Sequence, residues 1–163
     1  MALLTEFELD QRKVTLRRAV AGDVPALVAL IAADQLGAAR DGVRDESDLA
    51  AYNAAFAAID ADPAHLLLVA ESGGEVTGTL QLSFLPGLAR RGGLRAQIEA
   101  VRVADSARGS GLGAAMMTWA IGEASRRGCT LVQLTTDKSR ADAHRFYQRL
   151  GFVASHEGMK LAL

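Results

Sequence analysis

The sequence contains little cysteine, no long apolar run and almost no net charge. Cys129 is the one cysteine among 163 residues, which excludes an internal disulfide and is typical of a reducing compartment. Charged residues interrupt the apolar stretches well short of the roughly 18 residues that a membrane span requires, so no membrane partner is expected. Residues 1–11 carry three acidic side chains and lack the basic and then apolar pattern of a secretory signal. We therefore expect a cytoplasmic protein.

Two further classes of ligand are also not expected. A formal net charge of −1 argues against a general polyanion binder, so no nucleic-acid partner is predicted. The histidines, His65, His144 and His156, follow no metal-ligand spacing. The sequence therefore predicts no metal site.

The composition is that of an ordinary globular protein, with 50% apolar and 23% charged residues. We expect residues 1–163 to form a single domain with a substantial core. Periodicity and turn signals predict mixed α and β elements around one sheet. In chain order these are strand Val14–Val20, helix Val24–Ala33 with Asp23 as N-cap, helix Asp45–Ala61 capped near Ser47, strands Leu66–Glu71, Val76–Phe84 and Leu94–Val103, a helix that follows a glycine-rich loop and runs to about Arg127, strand Leu131–Thr135, helix Ala141–Leu150 and two short strands within Phe152–Leu163.

The most informative segment is Arg108-Gly109-Ser110-Gly111-Leu112-Gly113, which stands between a predicted strand and a predicted helix. The unpaired N–H groups of the first helical turn and the positive end of the helix dipole point into such a loop. Its glycines permit positive φ angles and the close approach of a phosphate. This arrangement predicts an anion site, with a pyrophosphate as the expected ligand.

Three alternative interpretations of this segment are a dinucleotide-binding loop, a Walker loop and a surface turn that binds no ligand. Gly109-x-Gly111-x-x-Ala114 fits the loose dinucleotide fingerprint. Against it, five residues separate Val103 from Gly109, and too little chain follows for the parallel strands of that fold. No Gly-Lys-Ser/Thr follows, which excludes a Walker loop. On these residues alone, a glycine-rich surface turn stays open.

Two segments, taken together, resemble a known family. Arg108-x-x-Gly111-x-Gly113, after the Glu-x-Val-x-Val strand at 99–103, resembles the acetyl-CoA signature of the GNAT N-acetyltransferase superfamily. Residues 143–152, Ala-His-Arg-Phe-Tyr-Gln-Arg-Leu-Gly-Phe, are similar to the second signature of that family, Ala-x-x-Leu/Phe-Tyr-x-x-x-Gly-Phe. The order of predicted elements fits as well, so the resemblance covers nearly the whole chain. It implies an α/β fold with a mixed, mostly antiparallel central sheet flanked by helices.

The resemblance implies acetyl-CoA as co-substrate and assigns residues to it. Backbone N–H groups of the loop would hold the pyrophosphate, and the pantetheine arm would pair with the preceding strand as an added strand does. Arg140 stands where the family often has an asparagine that contacts this arm, and its role here is left open. The cofactor-binding residues implied in this way are Val101, Arg102, Val103, Arg108, Gly109, Ser110, Gly111, Leu112, Gly113, Arg140 and Ala143.

The same resemblance points to two catalytic residues. Tyr147 would be the general acid that protonates the leaving CoA thiolate, although a buried aromatic on a helix is the alternative role. Glu99 is the candidate base, because a carboxylate within an apolar strand is costly unless it is paired or functional. A salt bridge to Arg95 or Arg102, or simple exposure, stays open for Glu99. Strand alternation places it on the face of Val101 and Val103 unless a bulge intervenes.

The acceptor is less well defined by the sequence. Tyr52 and Phe56 lie one helical turn apart and are predicted to wall an acceptor pocket, with core packing as an equal alternative. We expect a small primary amine, for example an amino acid or an aminophosphonate. Protein N-acetylation and a non-catalytic acetyl-CoA sensor are the alternatives. Many members of the family dimerise, so a homodimer is also among the expectations.

Overall fold

The computed structural model of the chain describes residues 2–34, 37 and 40–162. Six strands form one sheet in sequence order, antiparallel throughout except for the last pair, which is parallel. The strands are β1 (Leu3–Leu9), β2 (Arg12–Arg18), β3 (His65–Ser72), β4 (Glu75–Pro86), β5 (Leu94–Val103) and β6 (Leu131–Leu134). The helices are α1 (Val24–Ala32), α2 (Glu46–Ala61), the single turn α3 (Ala89–Gly92), α4 (Leu112–Arg126) and α5 (Ala141–Arg149). This architecture confirms the predicted mixed α/β domain.

Helices cover both faces of the sheet, because strand residues alternate between the two faces. On one face the main core forms between the central strands and α4. On the other face α1 and α2 pack over β3, where Leu27 and Phe56 meet the buried Val69. The side chains of the main core that are essentially inaccessible to solvent are Leu16, Leu68, Leu80, Leu82, Ile98, Leu112, Met116 and Met117.

A glycine on β4 lets α4 lie close to the sheet. A Cβ atom added at Gly78 would come within 3.0 Å of Met116 Cε and 3.2 Å of the Arg102 carbonyl oxygen. Both distances are tighter than ordinary van der Waals contact, so a larger residue here would displace the helix or the methionine. Gly78 thereby fixes the distance between α4 and the end of β5, where the glycine-rich loop begins.

A bulge in β5 changes which residues face the main core. Ala100 has a φ of +51°, and the register with β4 shifts between Thr79 and Gln81. Ala96 and Ile98 pack into the core before the bulge, whereas Val101 and Val103 do so after it. Glu99 therefore lies on the face opposite to Val101 and Val103, contrary to uninterrupted alternation, and shares that face with Arg102.

Two caps differ from the predicted ones. Asp45 caps α2 instead of Ser47, and its carboxylate accepts hydrogen bonds from the N–H groups of Ser47 and Asp48. Asp23 precedes α1, but its carboxylate makes no bond to the helix. It accepts two bonds from the buried Arg17 guanidinium instead, because pairing that cation outweighs one capping bond.

The ends of the chain differ most from the sequence-based expectation. β1 was not predicted, and it pairs with β2 through a tight turn in which Asp10 and Gln11 both have positive φ. The two strands expected within Phe152–Leu163 are absent from the described part, 152–162, which makes no ladder. The neighbouring edge strand β6 is only four residues long, and the polar run 155–158 interrupts the apolar pattern.

Candidate active site

The glycine-rich loop connects β5 to α4 and presents free N–H groups at the helix start. Gly109 and Gly111 have φ angles of +82° and +86°, a conformation that favours glycine. Within the described chain, five successive or near-successive N–H groups donate to no protein acceptor: those of Gly109, Ser110, Gly111, Gly113 and Ala114. Such a set of donors at the start of a 15-residue helix suits an anion.

Two of the N–H groups assigned to the pyrophosphate are used within the loop. The Arg108 N–H donates to the Asp105 carbonyl at 3.2 Å, and the Leu112 N–H donates to the Ser110 hydroxyl at 3.3 Å. The Ser110 hydroxyl in turn donates to the Ala107 carbonyl at 2.8 Å. Ser110 thus braces the loop through its side chain, which leaves its backbone N–H free for a ligand.

The second half of β5 has one unpaired edge. Pairing with β6 runs from Arg95 to Ile98 and ends there, whereas pairing with β4 continues to Val103. The backbone at 101–103 therefore has a strand on one side only. An extended ligand can add to such an edge through main-chain hydrogen bonds, as the pantetheine assignment to Val101 and Val103 requires.

A cleft of about 590 Å³ joins this edge to the loop. Small apolar side chains of α1 form one wall, and the β5 end with the start of the loop forms the other. The cleft brings together five of the residues predicted to bind the cofactor, namely Val101, Arg102, Val103, Arg108 and Arg140. Its size lies within the ordinary range for small-molecule sites.

Three charged side chains from separate elements meet in the cleft, and we call them the Asp34 cluster: Asp34 beyond α1, Arg102 on β5 and Arg140 before α5. Asp34 Oδ2 lies 3.6 Å from a terminal nitrogen of Arg102, and Asp34 Oδ1 pairs with Arg140. The Arg102 guanidinium also donates to the Val101 carbonyl at 2.8 Å. Sequence reasoning missed Asp34, because only the fold brings it to residues far along the chain.

Tyr147 lies on α5, half-buried against the main core. Its ring packs edge-on against Phe146 and Phe152, with centroids 5.2 and 6.0 Å away. Burial raises the pKa of the Tyr147 phenol above its ordinary value of 10.0, and the nearby Arg140 and Arg102 partly oppose that rise. The phenol therefore keeps its proton near neutral pH, as a general acid must.

Glu99 is exposed on β5 next to the unpaired edge. Among the described residues it forms no salt bridge, since Arg102 pairs with Asp34 instead. The alternative of an ion pair with Arg95 or Arg102 is therefore not observed. A solvent-facing carboxylate at the point where β5 and β6 part can reach a ligand that lies along the edge.

The family assignment follows from this site and from sequence comparison. A family model described as "Acetyltransferase (GNAT) family" matches residues 31–152, a segment that contains the loop, the β5 edge and Tyr147. The chain belongs to this family. The acetyltransferase is 33% identical over 141 residues to the aminoalkylphosphonate N-acetyltransferase of Salmonella typhimurium, a match that covers 86% of each chain. Family and relative together make it an acetyl-CoA-dependent N-acetyltransferase.

Solved structures similar to the acetyltransferase include one from Bacillus halodurans, described as a transcriptional regulator. It is 46% identical, with a TM-score of 0.87 over 92% of this chain and 99% of that chain. An acetyltransferase of Trypanosoma brucei is 25% identical, with a TM-score of 0.73 over 92% and 99% of the two chains. The fold of the acetyltransferase is thus that of known family members.

The remaining predicted site residues of the acetyltransferase lie outside the cleft. The Tyr52 hydroxyl accepts from the Gly42 N–H at 3.1 Å and so anchors the segment before α2. Phe56 packs into the core beneath α1, which is the alternative that the sequence left open. Ala143 lies on α5 one turn before Tyr147. Tyr52 and Phe56 as acceptor-pocket walls stay a prediction that this arrangement does not favour.

A polar row on the face of Glu99 escaped the sequence analysis. His65, Ser83, Gln97 and Gln133 are register partners on four adjacent strands. His65 Nδ1 and Ser83 Oγ lie 2.7 Å apart, and the Gln133 amide donates to Gln97 Oε1 at 2.7 Å. In the sequence each of these residues is an ordinary polar residue of an alternating strand. Only the register between the strands shows that the four side chains form a row.

None of the helices in ranges 2–34 and 40–162 is both long enough and apolar enough to cross a bilayer. Over the same ranges, His, Cys, Asp and Glu side chains form no group of three or more that could hold a metal ion.

Proposed function

We propose that this protein transfers the acetyl group of acetyl-CoA to the primary amine of a small metabolite, by direct attack within a ternary complex. The observation that supports this most is a combination of three features: the anion cradle at the start of α4, the unpaired strand edge that lines the cleft, and the Tyr147 phenol on α5, the helix that follows the cleft residue Arg140. A binding module would need the first two features only. The third, a phenol that stays protonated, suits a reaction that must release a thiol.

The donor would be held mainly by backbone groups. The five free N–H groups at the start of α4 fit a pyrophosphate. The edge of β5 at 101–103 fits the amide groups of the pantetheine arm. Backbone N–H groups near the bulge at Ala100 would stabilise the negative charge that develops on the acetyl oxygen.

The chemistry needs one base and one acid. The amine nitrogen forms a bond to the acetyl carbon, and the carbon–sulfur bond of the thioester breaks. Glu99 would take the proton that the amine must lose, directly or through water. Tyr147 would give its proton to the departing thiolate, and solvent would restore it. Tyr147 packs on the main-core side of the sheet, whereas Glu99 lies on the opposite face, next to the point where β5 and β6 part.

The size of the cleft favours a small acceptor over a protein segment. The Salmonella relative carries the name of an enzyme that acts on aminoalkylphosphonates, which are small primary amines. The Bacillus structure is described as a transcriptional regulator, so a sensor that binds acetyl-CoA without turnover is the second candidate. The two candidates differ in one respect, amine-dependent release of CoA.

The first experiment is a calorimetric titration of the purified protein with acetyl-CoA, with NADH as a control. Thiol release would then be followed with a panel of small amines and with peptides that carry a free N-terminus or a lysine. We expect acetyl-CoA to bind, NADH not to bind and a small amine to trigger release. Binding without release from any amine would favour the sensor, and release from peptides alone would favour a protein acetyltransferase. Absence of acetyl-CoA binding would overturn the proposal.

A further inference from the structure

The Asp34 cluster carries more positive than negative charge in a place that is largely shielded from solvent. The side chains of Arg102 and Asp34 are 17% and 11% exposed, and that of Arg140 is 33% exposed. One carboxylate thus faces two guanidinium groups. The other charged pair on the cleft wall, Arg108 with Asp105, balances itself at 2.9 Å. The cleft lining therefore has one cation in excess.

Hydrogen bonding in the cluster is incomplete as well. Among the residues that the structure describes, Arg102 Nε and Asp34 Oδ2 are buried atoms without a hydrogen-bond partner. The Arg17 cluster, formed by Arg17, Asp23 and Glu71, is by contrast fully hydrogen-bonded. The buried Arg17 guanidinium donates through Nε and both terminal nitrogens to the carboxylates of Asp23 and Glu71. A guanidinium presents a planar fork that matches a carboxylate or a phosphoryl group. The Asp34 cluster thus has the donors and the charge to accept one more anionic group.

The position of the cluster decides which molecule can supply that group. Arg140 directly precedes α5, the helix that carries Tyr147, and Arg102 lies on β5 just after its pairing with β6 ends. This places the cluster at the reacting end of the cleft, in accord with the effect of both guanidinium groups on the pKa of the Tyr147 phenol. The pyrophosphate and the thiol of CoA are at opposite ends of the pantetheine arm. An anion beside the acid that protonates the sulfur is therefore not the pyrophosphate. It belongs to the acceptor.

The β5 bulge supports the same assignment. It turns Arg102 to the face of Glu99, so the proposed base and the guanidinium are neighbours on one side of the sheet. They stand three residues apart along a strand that rises about 3.3 Å per residue. A short molecule with an amine at one end and an acid at the other fits between them.

We propose that Arg102 and Arg140 form an acceptor subsite for an acidic group, a carboxylate or a phosphoryl group, so that the acceptor is a small amine that also carries an acid. Asp34 holds the two guanidinium groups in position between α1 and α5. This inference rests on the proposed acetyl transfer for its chemistry, and it goes beyond it by assigning the acidic group of the acceptor to two named side chains.

The test compares matched amines on matched variants. Acceptors would be 3-aminopropanoate and 2-aminoethylphosphonate, with propylamine as the neutral counterpart. Variants would be Arg102→Met and Arg140→Met, which keep side-chain length, and Arg102→Lys and Arg140→Lys, which keep the charge. Arg95→Met is the control, because Arg95 is an exposed arginine on the same strand outside the cleft. Thermal melting would establish that each variant is folded.

The readout is the ratio of kcat/KM for an acid-bearing amine to that for propylamine. We expect a ratio of at least about 10 in the unchanged protein, and a loss of about 10-fold in that ratio in each Met variant. The Lys variants should recover part of the ratio, and Arg95→Met should keep it. An equal loss with both kinds of amine would overturn the proposal, as would a loss of acetyl-CoA affinity as large as the loss in the ratio.

A binding measurement separates this inference from the proposed activity. Calorimetry would titrate 3-aminopropanoate, 2-aminoethylphosphonate and propylamine into the protein saturated with CoA. Binding of an acid-bearing amine that the Met variants lose would support the subsite even if no amine were ever acetylated, in which case the proposed transfer alone would fail. Equal binding of all three amines, or binding of none, would overturn the subsite.

Discussion

At the scale of single residues, Tyr147 serves both packing and proposed chemistry, and the two roles can be separated. Replacement by phenylalanine keeps the ring between Phe146 and Phe152 and removes only the hydroxyl. We expect Tyr147→Phe to lower kcat by about 100-fold or more, because the thiolate then leaves without its proton donor. The Kd for acetyl-CoA, measured by calorimetry, should change little. A kcat close to that of the unchanged protein would mean that Tyr147 only packs against its neighbours and donates no proton.

Because its pKa is raised, the ionisation of Tyr147 should not contribute to the pH dependence of activity in the usual assay range. Because burial places the pKa above 10.0, the phenol stays protonated through the usual assay range. Any titration of activity between pH 6 and about 9 must then come from the amine or from another group.

The role of Glu99 can be tested by the pH dependence of kcat/KM, because the need for a base depends on the fraction of acceptor amine that is unprotonated. We expect Glu99→Gln to reduce kcat/KM by about 100-fold near pH 6.5, where nearly all acceptor is protonated and a base is needed. The deficit should shrink toward pH 9.5, where unprotonated amine is abundant. The control is Glu8→Gln, which replaces a carboxylate on the distant strand β1. A pH–rate profile that keeps its shape in the Glu99 variant would contradict the role of base.

At the scale of elements, the glycine-rich loop can be tested with a pair of nearly isosteric substitutions. Gly111 has a φ of +86° and open space around its missing Cβ, and asparagine and aspartate tolerate such a backbone better than other residues do. Gly111→Asn and Gly111→Asp therefore impose similar strain and differ by one negative charge. We expect the aspartate variant to bind acetyl-CoA about 10-fold or more weakly than the asparagine variant, measured by calorimetry. Equal affinities would argue against a phosphate at this loop.

Among these elements, the glycine-rich loop could be predicted from the sequence, whereas the β5 bulge and the Asp34 cluster could not be established from it. The loop was predictable because Gly109 and Gly111 are required by their own backbone angles, which is local information. The bulge stayed only an alternative to strict alternation in the sequence analysis, because Ala100 takes a positive φ against its intrinsic preference and the register with β4 reveals it. The Asp34 cluster was missed for a related reason, since Asp34 and Arg140 are 106 residues apart and meet only through packing.

At the scale of the whole molecule, the Arg17 cluster links the sheet to the start of α1. Arg17 on β2 donates to Asp23 before α1 and to Glu71 on β3, and the side chains of Arg17 and Asp23 are almost fully buried. The Arg17 guanidinium lowers the pKa of the Asp23 carboxyl below its ordinary value of 3.8. The charged form of Asp23 therefore stabilises the fold fully above that value, and this contribution is lost as the pH falls below it.

Replacement of Asp23 by asparagine should expose this contribution in equilibrium unfolding. At pH 7, we expect Asp23→Asn to lower the free energy of unfolding by about 3–5 kcal/mol, because it leaves the buried Arg17 with only Glu71 as an anionic partner. Urea titrations at decreasing pH should show the difference from the unchanged protein shrinking below pH 4, because the Asp23 carboxyl of the unfolded chain takes up a proton there more readily than that of the folded chain. Glu6→Gln removes an exposed pair with Lys13 and should cost less than about 1 kcal/mol at pH 7. A difference for Asp23→Asn that stays constant from pH 7 to pH 3 would mean that the side chain stabilises the fold by shape and not by charge.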